Sequence, residues 1–153
     1  MSVLAALALA PAQLIAAAPG HAIPVPATGW SCTFETPDGA RFRLAGRMDE
    51  IPVGWDPNRS RPVRVEGDGP SALTGELGMT GETAGEFFRE YQLTSISGRE
   101  RYNVNLRLRR GGAGVADITL YVENDRREPY SYYAAGLCRS DFGGGSVPER
   151  AEP

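Results

Sequence analysis

Residues 101–123 alternate apolar and polar side chains on both sides of a glycine cluster, a pattern that few folds accept. Tyr102, Val104, Leu106 and Leu108 alternate with Asn103, Asn105, Arg107 and Arg109. After Gly111-Gly112-Ala113-Gly114, Ala116, Ile118, Leu120 and Val122 alternate with Asp117, Thr119, Tyr121 and Glu123. Alternation with a period of two is the mark of a half-buried strand, and two such runs around glycines form an antiparallel hairpin. Both apolar sets must face one core, so residues paired across the hairpin have numbers with an even sum. The loop is therefore odd, 111–113 or 111–115, with a glycine at positive φ.

A second hairpin is almost as clear. Trp30, Cys32 and Phe34 alternate with Ser31, Thr33 and Glu35; Thr36-Pro37-Asp38-Gly39 has the residues of a type I turn. Phe42 and Leu44 then return between Arg41, Arg43 and Arg47. From Asp49 to Gly85, prolines and glycines recur too often for long elements, and two short strands, 62–66 and 72–79, are the reading. Ala84, Phe87, Phe88 and Tyr91 fit one helical face, whereas Phe87, Tyr91, Leu93 and Ser95 fit a strand. The strand 87–96 is favoured, with a single short helix near Phe87 and the state of 82–92 left open. The last strand, 130–138, places Tyr130, Tyr132, Ala134, Gly136 and Cys138 on one face.

These spans, with 29–36, 40–47, 101–110 and 115–123, predict an all-β chain of about eight strands in an antiparallel meander. A closed or nearly closed small barrel removes exposed sheet edges; a sandwich is the alternative. In an up-and-down barrel the first and last strands are neighbours. Cys32 and Cys138 are therefore expected to form a disulfide at that seam, with Trp30 or Phe34 packing near Tyr132.

Residues 1–22 read as a signal peptide: Val3 to Ala18 is nearly all apolar, no charged side chain precedes Glu35, and Gly20-His21-Ala22 suits cleavage before Ile23. The run is too short and too broken for a lasting transmembrane helix. Residues 23–142 form one β domain by length, and 143–153 a polar, disordered tail. Export to the periplasm or beyond is expected, where an even cysteine count reads as a bridge. All basic residues are arginine, and the 19 glycines and 12 prolines point to a GC-rich bacterial genome. A net charge of −3 gives no excess of positive charge for nucleic-acid binding.

Most reaction classes lack their residues. Removal of His21 with the signal leaves no histidine for a catalytic triad or a metal. The chain has no lysine for a Schiff base and no phosphate-binding GxxxxGK[ST] loop. A non-enzymatic role without cofactor or metal follows. Asp49-Glu50 and Asp56 read as solvated loop carboxylates, and Gly67-Asp68-Gly69 lacks the spacing of a calcium loop. The candidate contacts for an anionic ligand or a partner protein are Arg107, Arg109 and Arg110, whose planar guanidinium groups suit carboxylate or phosphate. Outward strand positions also carry arginine simply as solvated charge. Tyr130 and Tyr132, beside the small residues Ala134 and Gly136, are candidate contacts for a small ligand; core packing is their ordinary role.

Trp30-Ser31-Cys32, Ser95-Ile96-Ser97-Gly98-Arg99-Glu100-Arg101-Tyr102 and Cys138 together resemble the small periplasmic inhibitors of C-type lysozyme. Those are eight-stranded barrels with an aromatic-x-Cys start, a Ser-x-Ser-Gly-x-x-Tyr-like loop and a late cysteine. This chain has one more residue in the loop, no lysine beside it and a longer Pro/Gly segment. The resemblance implies inhibition of a lysozyme-type hydrolase through the loop around Ser97, with Ser97 and Tyr102 as the matching positions.

Overall fold

The computed structural model describes residues 27–49, 56, 59–124 and 130–144. The signal peptide, its cleavage site, Glu50 and the tail from Gly145 lie outside the described residues. The eight strands are β1 (Thr28–Glu35), β2 (Arg41–Met48), β3 (Arg61–Gly67), β4 (Gly75–Ala84), β5 (Phe88–Ser97), β6 (Glu100–Arg109), β7 (Ala113–Val122) and β8 (Ser131–Ser140). Each pairs antiparallel with the next, and β8 pairs with β1, so the meander closes into a barrel and every strand has two neighbours. The seam is where the cysteines require it: Cys32 lies opposite Cys138, their Cα atoms are 4.0 Å apart, and the two sulfurs are bonded.

The central hairpin keeps its even sums, with Tyr102 opposite Leu120, Val104 opposite Ile118 and Leu106 opposite Ala116. Its loop, however, is 110–112 and starts one residue earlier than either expected loop. Gly111 and Gly112 take the two positive φ angles, 95° and 100°, which an alanine at 113 would resist. Gly114 is needed inside the ladder, because a Cβ there would lie 2.8 Å from the Arg107 carbonyl oxygen. The first turn follows expectation: the Gly39 N–H donates to the Thr36 carbonyl at 2.9 Å.

Three expectations are corrected. No helix forms near Phe87. β4 and β5 make a tight hairpin there, with Ala84 opposite Arg89 and the Gly85 N–H donating to the Phe88 carbonyl. Ten consecutive pairs to β6 fix β5 in register, so of the supposed helical face only Tyr91 is buried. The one described helical turn is instead a 3-10 turn at Ser71–Leu73, which displaces the start of β4 to Gly75 and buries Leu73 completely.

The third correction is in β8. Ile118 pairs with Ala134 but Thr119 with Tyr132, so Tyr133 is an extra residue, a β-bulge. The bulge reverses the faces of the preceding residues. Tyr132 is 57% exposed and Tyr130 also points outward, while Tyr133 turns in. Tyr133 therefore takes the packing place expected of Tyr132, 6.5 Å from the Phe42 ring and edge-on to Tyr102 at 5.5 Å. Phe34 stacks on Phe42 at 5.3 Å and completes the aromatic group at the Ser97 end.

The barrel interior is filled by side chains. Trp30, Phe34, Leu44, Met48, Leu93, Leu106, Leu108 and Ile118 are all fully buried. At the other end, the Arg61 guanidinium pairs with Glu82 at 2.7 Å, the Tyr91 hydroxyl donates to Thr28, and the Phe142 ring lies under Arg89.

Candidate functional site

Ser97 ends β5 opposite Glu100, leaving Gly98-Arg99 as a two-residue turn with Gly98 at φ +61°. Residues 96–99 are all exposed, so this hairpin tip stands clear of the barrel end. Cross-strand register then builds a row on the outer face. Ile96 lies opposite Arg101, Arg101 opposite Tyr121, and the Tyr121 ring is 5.2 Å from that of Tyr130. Ile96 is 66% exposed, a large apolar side chain with nothing over it. Hydrogen bonds from Asn103 and Arg101 favour the Tyr130 phenolate and hold its pKa below the ordinary value. The next row inward pairs Thr94 with Asn103 and Thr119 with Tyr132.

Tyr102 lies beneath this tip and faces the core. Burial first, and then the hydrogen bond its hydroxyl donates to Glu100 at 2.8 Å, push its pKa up to about 12. Its ring supports the hairpin from inside, while Ser97 is presented to solvent. Ile96 and Tyr121 had no place among the expected contacts, and Arg101 was expected only with Arg99 at the start of the arginine-bearing hairpin. Their signal was in the register: once Gly98-Arg99 is a two-residue turn, Ile96 and Arg101 must share the outer face.

Arg107 and Arg109 project from the outer face of β6, and Arg110 lies in the following loop. Across the sheet Arg107 has Glu90 on one side and Val115 on the other. Among the described residues none of the three arginines forms an ion pair. They do not join the Ser97 end.

On the core side the space beside Gly136 is already taken, while an outer groove of about 390 Å³ runs past it between Thr33, Arg41 and Leu137, away from Tyr130 and Tyr132. A Cβ on Gly136 would lie 2.8 Å from both the Phe34 ring and the Thr33 carbonyl oxygen, so that glycine admits a ring of the core. Ala134 is fully buried. Asp68, from the fragment that lacked calcium spacing, accepts the Arg43 backbone N–H at 2.6 Å and tethers the β3 end to β2. Asp49 and Asp56 are exposed. Compared with protein-family models, with curated proteins and with solved structures, the chain matches none.

Proposed function

We propose that this protein is an exported, non-enzymatic binding module that engages a partner protein with the Ser97 end of its barrel, and that the partner is a lysozyme-type hydrolase. The observation that carries the reading is the outer-face row of Ile96, Arg101, Tyr121 and Tyr130, half-buried at Tyr121 and otherwise exposed, beside a protruding turn. Tyrosine and arginine are enriched among residues that dominate protein–protein binding energy. A filled interior supports an outward-facing role, since a packed barrel offers a partner its ends and outer face. The disulfide is what an oxidising compartment favours.

The chemistry suits the partner. Glycosidases of this kind hold a carboxylic acid and a carboxylate in an open cleft. A narrow tip carrying the Ser97 hydroxyl, the Gly98 N–H and the Arg99 guanidinium enters such a cleft and donates hydrogen bonds to both. The resemblance to the periplasmic lysozyme inhibitors includes this loop, with Ser97 and Tyr102 as its matching positions.

The test is lysis of bacterial cell walls by a C-type lysozyme in the presence of the folded, disulfide-bonded protein. Inhibition is expected to saturate near equimolar protein. Ser97→Trp and Arg99→Glu should each weaken it by about tenfold or more, as expected when about 1.4 kcal/mol of binding is removed, with no change in melting temperature. Undiminished lysis in excess folded protein would overturn the choice of partner. Unchanged inhibition by both variants would overturn the choice of surface.

A further inference from the structure

We propose that the outer face of β1, β2 and β3 carries a second site, which takes the phosphate group of a small phosphate monoester between Arg47 and Arg64. It lies on other strands than the Ser97 row and does not depend on it.

The β2–β3 ladder is short. Leu44, Ala45 and Gly46 pair with Gly67, Glu66 and Val65, and there the pairing stops. Past that point Arg47 and Arg64 line one groove. Like charges brought together repel, and the carboxylates nearby relieve this poorly. Asp141 is 3.5 Å from Arg47 and Glu66 is 3.6 Å from Arg64, with the arginine side chains 60% and 79% exposed. Exposed pairs at such distances hold their partners weakly against water. Both guanidinium groups therefore keep donors for a further anion.

Between them runs a groove of about 660 Å³, within the roughly 300–1,000 Å³ of small-molecule sites. Ala45, Gly46 and Gly67 line it, so little side chain rises between the charged walls. Two of these residues are small of necessity: a Cβ on Gly46 would lie 2.8 Å from Trp30, and one on Gly67 would lie 1.9 Å from the Arg43 carbonyl oxygen. Trp30 also lines the groove, and its buried Nε1 has no hydrogen-bond partner among the described residues. The indole edge next to that nitrogen, Cε2 and Cζ2, is the one that lies against Gly46. That nitrogen is closed to solvent, so the indole N–H reports on the groove without touching its occupant.

Phosphate fits better than carboxylate. A carboxylate has two oxygens in one plane and is satisfied by a single guanidinium fork, whereas two guanidinium groups in one groove offer donors to more acceptors than it carries. A phosphate monoester has three terminal oxygens and close to two charges at neutral pH. It draws on both Arg47 and Arg64 in place of their weak contacts to Asp141 and Glu66, and leaves a sugar-sized remainder along Ala45 toward Arg43. Arg43 is held at that end by its Nε–H bond to Ser31 at 2.7 Å.

Nuclear magnetic resonance of the full, disulfide-bonded chain tests this through the Trp30 indole N–H and the arginine Nε–H signals. The probes are glucose 6-phosphate, inorganic phosphate and acetate at one ionic strength. Saturable shifts at Trp30, Arg47 and Arg64 are expected with glucose 6-phosphate and not with acetate. Equal affinity for inorganic phosphate would identify the free ion as sufficient, and weaker affinity would identify the ester; either supports a phosphate site. Arg47→Gln with Arg64→Gln should lower affinity at least tenfold, whereas Arg107→Gln with Arg109→Gln, the same change of charge, should leave it unaltered. Shifts that fail to saturate, an equal response to acetate, or equal losses in the two double variants would overturn the site.

Discussion

Tyr102 joins the core to the exposed tip, and its hydroxyl makes that junction sensitive to pH. The unfolded phenol ionises near 10, whereas in the barrel burial and the Glu100 carboxylate hold it protonated up to about 12. The folded state thus binds the proton more tightly. Its stabilising share is fully present below pH 10 and is lost as pH rises through about 12. A proton held that much more tightly contributes on the order of 2 kcal/mol. Denaturant melts between pH 9 and pH 12 should therefore fall more steeply for the native chain than for Tyr102→Phe, which keeps the ring packed on Tyr133. Parallel curves for the two proteins would show that the fold does not favour the neutral phenol.

Among the elements, β8 has its two faces set by a single extra residue. Because Tyr133 is the bulge, neighbouring tyrosines have opposite fates, and substitution separates them. Tyr133→Ala removes a ring packed on Phe42 and Tyr102 and should cost roughly 2–3 kcal/mol, below the 3–5 of a fully buried aromatic. Tyr132→Ala should stay within about 0.5 kcal/mol, as surface changes do. Chemical denaturation of both variants checks the pair, and the reverse order would restore the unbulged strand. The same bulge marks the limit of what the sequence disclosed. All eight strands could be read from alternation, because each has a buried face and period two is strict wherever pairing is regular. Tyr130-Ser131-Tyr132-Tyr133 contains no signal for a bulge, since it lacks the glycine that often announces one. Near Phe87 the strand was the favoured of two readings, and the structure has it. The helical spacing was real, but the ladder to β6 offered far more hydrogen bonds than a helix begun between Gly81 and Gly85. For the candidate sites, Ser97 was legible as a turn residue. That Arg47 and Arg64 share a groove required knowing which strands adjoin across a Pro/Gly-rich connection.

The whole molecule is a ring of eight ladders of unequal length, and that inequality predicts where it opens. The seam between β1 and β8 has six paired residues and a covalent tie, whereas β2 and β3 share three pairs and the Asp68 tether. Cys32 and Cys138 are 106 residues apart, so the bridge removes a large share of the unfolded chain's freedom. The chain-entropy model values a loop of about 100 residues at roughly 4.7 kcal/mol. Replacing both cysteines by serine should cost roughly 2–5 kcal/mol, the usual effect of losing a native bridge in a small domain. The order of opening is a sharper expectation. In the bridged protein, hydrogen exchange in native conditions should be fastest where β2 meets β3, at Ala45 to Arg47 and Glu66, because local opening follows the weakest pairing. The β1–β8 amides around Cys32 should exchange only with global unfolding. In the double serine variant they should lose that protection and approach the β2–β3 rate, since both boundaries then depend on pairing alone. If the β1–β8 amides keep their protection without the bridge, the seam is held by packing of Phe34 against Gly136, and the disulfide adds stability without deciding where the barrel parts.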